Sequence, residues 1–136
     1  MKITIIVEGK TEKAFMPCLS AFLRLRLAGK MPRLDPFPYD GRIPKESKLR
    51  RVVENMLQGK NASDHVIALT DVYTGSVPHD FRDAQDAKDK MSLWVGEERR
   101  FHPHAAQYDF EAWLLPYWST IQKLARHNTT ALPLTE

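Results

Sequence analysis

The sequence contains a single cysteine, Cys18. An intrachain disulfide is therefore impossible, and the thiol content fits a reducing cytoplasm. Long hydrophobic runs are also missing: the longest near the start, Ile3 to Val7, is broken by Thr4 and followed at once by Glu8. A membrane span needs about 20 apolar residues and a signal-peptide core about 7–15, so that run encodes neither. There is no internal repeat and no low-complexity tract, so nothing points to a repeat architecture. At 43% hydrophobic and 27% charged residues, disorder is not the default. What is left is one domain's worth of chain, 136 residues, able to bury roughly two-thirds of its unfolded surface.

Four short apolar runs alternate with longer periodic segments, the pattern of βαβ units around a parallel sheet. The first strand is Lys2 to Val7, rich in β-branched residues and too evenly apolar to have a wet face. A helix follows from about Thr11 to Ala28, its stripe formed by Phe15, Cys18, Leu19, Phe22 and Leu25, with Gly29 as the stop. That stripe makes Cys18 a buried, inert thiol. Pro17 falls inside the helix and predicts a kink or a late start. Residues Met31 to Pro44 hold four prolines, so a second strand around Pro36 to Tyr39 is confined to a sheet edge. Pro44 then suits the first position of a second helix, with Leu49, Val52, Val53, Met56 and Leu57 as its stripe and Gly59 closing it.

The third strand, His65 to Thr70, ends on Asp71. A polar helix is expected from about Asp80 to Val95, where Asp80, Asp83, Asp86 and Asp89 recur every three residues as a solvated, dipole-stabilised face. The fourth strand lies within Phe101 to Gln107. A last helix, interrupted by Pro116, carries Phe110, Trp113, Leu114, Tyr117, Trp118 and Ile121. The expected fold is a three-layer α/β/α domain with a four-stranded, mainly parallel sheet. Strands one and three should be adjacent and central, with strands two and four on the edges. The aromatic face of the last helix, unless buried on the sheet, predicts a homodimer contact or a partner surface.

Ligands of parallel sheets bind outside the carboxyl ends of the strands. Glu8 follows strand one, Asp71 follows strand three, and Asp109 and Glu111 follow strand four. Carboxylates brought together from three strand ends repel one another and call for a cation. Mg²⁺, which prefers hard oxygen ligands and keeps part of its water, suits them, with Mn²⁺ as a substitute. Such a site can bind phosphate oxygens and promote attack by water. The opposing reading is that one or two of these acids simply cap helices. A nucleotide-binding P-loop is excluded: Gly9-Lys10-Thr11 would need a glycine at position 4, which is Thr4, inside a strand.

Charge is unevenly placed. Residues 1–60 hold 13 Lys+Arg against 6 Asp+Glu, an excess of +7, and residues 61–136 hold 7 against 11, a deficit of −4. A basic half feeding an acidic one can attract a polyanion and hold cations near its phosphates, although solvated helix faces explain the same counts. Arg42, Lys45, Lys48, Arg50 and Arg51 surround the start and outer face of the second helix, and could follow a nucleic-acid backbone together with Lys10. His102 and His104 alternate on strand four and share a face. With no third ligand in sequence reach they read as surface or interface histidines. Trp113, Tyr117 and Trp118 read as core or interface rather than as base-stacking platforms.

The residues also resemble a family. Val7-Glu8-Gly9-Lys10-Thr11-Glu12-Lys13-Ala14-Phe15 resembles the first motif of TOPRIM domains, and more closely that of the DUF4276 family of TOPRIM-like proteins. Thr70-Asp71-Val72-Tyr73-Thr74-Gly75, with Pro78 and Phe81 beyond, resembles that family's Asp-x-Tyr-Gly segment. Phe101-His102-Pro103-His104, followed by Asp109-Phe110-Glu111-Ala112, resembles its strand and Glu-Phe-Glu-Ala signature. The resemblance implies Mg²⁺-dependent phosphodiester chemistry on nucleic acid, with Glu8 as general acid/base or metal ligand and Asp71 as metal ligand. Where many TOPRIM domains carry a second aspartate, this chain has Tyr73, a gap that Glu111 or Asp109 would fill. It further implies a partner ATPase of the overcoming-lysogenization-defect (OLD-like) or AAA type, in bacterial defence or DNA repair. Relatives run on with further helices, so residues 1–136 are expected to form one domain, either trimmed at its C-terminus relative to them or naturally short and inactive.

Overall fold

The computed structural model describes residues 1–39, 41–72, 79–108, 116–120 and 122–123. Four strands form one parallel sheet: β1 (Lys2–Val7), β2 (Arg33–Pro38), β3 (His65–Asp71) and β4 (Phe101–Ala106), in the spatial order β2-β1-β3-β4. The expected order and directions are therefore observed. Three helices make the crossovers: α1 (Lys10–Leu27), α2 (Glu46–Leu57) and α3 (Ala84–Val95).

Strand alternation sorts the side chains onto two faces. Ile6, Val66, Ala68 and Phe101 pack against Leu49, Val53 and Leu57 of α2 and Ala87, Met91 and Val95 of α3. On the opposite face Ile5, Val7 and Leu69 pack against Met16, with Phe15 and Leu19 of α1 partly buried beside them. The sheet thus lies between α1 on one side and α2 and α3 on the other. This arrangement follows from handedness: the chain steps from β1 outward to β2, then back across β1 to β3. Right-handed crossovers in opposite directions put their helices on opposite faces. The reversal makes the β1–β3 boundary the switch point of the sheet, with a crevice at the carboxyl ends of those strands.

Several sequence expectations need correction. Cys18 is exposed rather than buried, and Phe22 and Leu25 of the same stripe are 50% and 87% exposed. The cause is length. The 18 residues of α1 span about 27 Å, whereas a six-residue strand covers about 20 Å, so the last turns of the helix, with Leu25, run beyond the sheet. Pro17 does not delay the helix, which begins at Lys10 and runs through it. Pro44 stands outside α2, whose N-cap is Lys45. Asp80 also stands outside α3, which starts behind the N-cap Asp83, and it spends its charge on cations of the preceding crossover. The last predicted helix falls mostly outside the described residues; Tyr117 and Trp118 within it are exposed.

Candidate functional site

Glu8 is the first residue after β1, and β1 and β3 are neighbours, so the Glu8 carboxylate reaches across to the end of β3. The buried Thr70 donates its hydroxyl to Glu8 Oε1 at 2.5 Å, and the Asp71 amide donates to Oε2 at 3.2 Å. A third donor comes from the β2–α2 connection, where the Ile43 amide approaches Oε1 at 3.3 Å. A carboxylate offers about four acceptor positions, so these donors orient the group and leave one position on Oε2. Glu8 ties together the ends of β1 and β3 and the chain entering α2.

That connection forms one wall of a cavity of about 620 Å³, lined by Tyr39, Arg42, Ile43, Lys45 and Lys48 among others. Ile43 belongs to both features: its amide holds Glu8 and its residue lines the cavity. Arg42 donates to the Asp71 carbonyl at 3.4 Å, and Arg42 and Lys45 both pair with Asp80. Burial pushes the Asp80 carboxyl up, but the Lys45 hydrogen bond and the Arg42 charge together hold it below its ordinary value. Beneath them lies the buried Phe81 ring, with the Arg42 guanidinium 6.0 Å and the Lys90 ammonium 5.8 Å from its centroid. Lys48 has no ion-pair partner among the described residues. Lys10 and Arg51, expected with this group, are exposed but do not line the cavity.

Of the four expected acids, the described structure brings Glu8 and the Asp71 backbone into direct contact. Asp109, Glu111 and Tyr73 lie outside the described residues. Among the described residues, no three His, Cys, Asp or Glu side chains are gathered to hold a metal ion. The donor chemistry nonetheless fits Mg²⁺, which is held in proteins by one or two carboxylates, its own water and substrate phosphates.

One further acid was not singled out from sequence. Glu12, in the first turn of α1, is only 6% exposed and has no hydrogen-bond partner among the described residues. A Cβ at Gly9 would come within 3.0 Å of its Oε2, which places the carboxylate over the β1–α1 turn, one residue from Glu8. The signal was its spacing: an acid four residues after Glu8, one turn into a helix that starts at the sheet's carboxyl edge.

The DUF4276 family model, described as a domain of unknown function, matches residues 7–134. The chain belongs to this family. No curated protein and no solved structure matches it. Among the described residues no helix is long and apolar enough to cross a membrane.

Proposed function

We propose that this DUF4276 chain is a TOPRIM-like domain that hydrolyses phosphodiester bonds in nucleic acid with the help of Mg²⁺ or Mn²⁺. The observation that carries the reading is the Glu8 carboxylate, oriented by three donors at the switch point of the sheet and sharing Ile43 with a basic cavity. Arg42, Lys45 and Lys48 meet the backbone phosphates, and Asp80 holds the first two in place before the polyanion arrives. The remaining acceptor position on Glu8 Oε2 would accept a proton from water or help hold the cation. Glu8 and Asp71 would hold the ion, with Glu111 and Asp109 completing the set. When bound, the ion supplies Lewis-acid stabilisation of charge on the phosphoryl oxygens. A cytoplasmic location and a partner ATPase of the OLD-like or AAA type, in defence or DNA repair, belong to the same reading.

The test is cleavage of labelled single- and double-stranded DNA and RNA with added Mg²⁺ or Mn²⁺. Glu8→Gln and Asp71→Asn should each lower the rate by roughly 10²-fold or more, while Cys18→Ser retains it. Cleavage that persists in EDTA, or in both acid variants, would place the chemistry elsewhere. Calorimetry with Mn²⁺ gives an answer that needs no turnover: equal binding by wild type and Asp71→Asn sinks the metal site.

A second reading, a non-catalytic module of the same fold, is favoured by the C-terminal half of α1. Phe22 and Leu25 stand exposed there, as a partner ATPase or a second copy of the chain would require. Absence of both Mn²⁺ binding and cleavage would favour it.

A further inference from the structure

The histidines of β4 gain a neighbour that the linear sequence hides. The parallel register sets Val66 opposite Phe101, Ile67 opposite His102 and Leu69 opposite His104. Odd positions of β3 and even positions of β4 therefore share the α1 side of the sheet, and His65, His102 and His104 stand on it together. His65 opens β3 and His102 is second in β4, so the cluster begins at the amino end of the strands, opposite the end that carries Glu8. The rings of His65 and His102 have centroids 5.2 Å apart, and His65 Nδ1 lies 3.1 Å from His102 Nε2. Both residues are half-buried and His104 is exposed.

Two imidazole nitrogens at that separation match bidentate coordination. With a metal–nitrogen length of about 2.05 Å, nitrogens 3.1 Å apart subtend about 98° at the ion, between octahedral and tetrahedral values. The ion sits beside the N···N line, and the proton between the rings moves to an outer ring nitrogen by tautomer exchange, so neither ring changes charge.

We propose that His65 and His102 form a two-nitrogen site for a zinc-class divalent ion (Zn²⁺, Co²⁺, Ni²⁺ or Cu²⁺), with His104 turning in as a third ligand. Two nitrogens already stand at ligand separation, held by a hydrogen bond that the rings turn out of to meet the ion, and the third does not: among the described residues no three such groups already surround one point. His104 is one pleat repeat along the same strand, about 7 Å away at the backbone, and its exposed ring is free to change rotamer. Imidazole nitrogen selects these ions over Mg²⁺, so the site differs in chemistry as well as position from the carboxylates at the other sheet edge. An ion here ties β3 to β4 and binds only the folded chain, so it raises thermal stability.

The experiment is a Zn²⁺ titration of the full chain by calorimetry in excess Mg²⁺, which occupies oxygen sites, with parallel long-range ¹H–¹⁵N spectra of the histidine rings. One equivalent should bind, the His65 Nδ1 and His102 Nε2 resonances should move together, and the unfolding temperature should rise. His65→Ala and His102→Ala should each weaken binding at least tenfold, and His104→Ala should weaken it less. Should an alanine variant fail to fold, His102→Gln and the wild-type spectra carry the answer. No uptake of Zn²⁺, uptake that leaves those two resonances in place, or equal uptake by the His65→Ala/His102→Ala double variant would overturn the proposal.

Discussion

Thr70 Oγ1 sits 2.5 Å from Glu8 Oε1 inside an environment where Thr70 is 1% exposed, and this contact decides how firmly the candidate site is built. A hydrogen bond to a charged acceptor contributes about 1.5–3 kcal/mol, and the Ile43 amide at 3.3 Å is a weaker substitute. Thr70→Val should therefore destabilise the fold by about 1–3 kcal/mol in urea unfolding. Combining it with Glu8→Ala should cost less than the sum of the two single changes, because each removes the same interaction. Additive costs would show that Thr70 acts through packing alone. At this scale the sequence was half legible. The place of Glu8 beside the end of β3 could be read because a carboxylate after an apolar strand has a predictable position. Thr70 and Ile43 could not, since one looks like ordinary strand and the other acts through its amide. His65 was hidden for a related reason: only strand register makes it a neighbour of His102.

The three-residue recurrence of aspartates before and within α3 reads as one solvated face, yet each acid has its own work. Asp83 caps the helix, its carboxylate accepting from the Asp86 amide at 2.8 Å, and Asp89 accepts from Gln85 Nε2 at 2.8 Å. Asp86 accepts from the Arg82 amide at 3.0 Å and pairs with Lys90 at 2.9 Å. The Arg82 amide first, then the Lys90 ammonium, holds the Asp86 carboxyl at about 2, below the ordinary 3.8. A depressed carboxyl pKa stabilises the fold above the unfolded value and loses that contribution as pH falls toward the folded one. The difference in urea midpoint between wild type and Asp86→Asn should then be constant at neutral pH and shrink between 3.8 and about 2. A gap unchanged across that window would mean the contacts do not favour the ionised form. Spacing announced the helix well; it could not assign Asp80, because the cations that claim it arrive from a different crossover.

Across the whole molecule, the topology was legible because parallel βαβ units leave few right-handed arrangements, and the two most apolar strands are the central ones. The reach of α1 was not, since a periodic stripe gives a helix face without saying how much sheet lies under it. The charge asymmetry of the sequence becomes a local arrangement: basic residues 42–48 from the first half line the cavity, and Asp80 from the second half neutralises part of it. Lys48 keeps its full charge, with no ion-pair partner among the described residues. Each phosphate neutralised on duplex DNA steepens the dependence of log affinity on log salt by about 0.9. Lys48→Ala should therefore weaken nucleic-acid binding and flatten that slope by about one, at little cost in stability because no internal contact is lost. Asp80→Asn should do the reverse: it releases charge from Arg42 and Lys45, strengthening binding at low salt and steepening the slope, while stability falls. Fluorescence anisotropy over a salt series reads both. Slopes that do not move in either variant would remove the cavity from the path of the polyanion, even if Glu8 proved essential for cleavage.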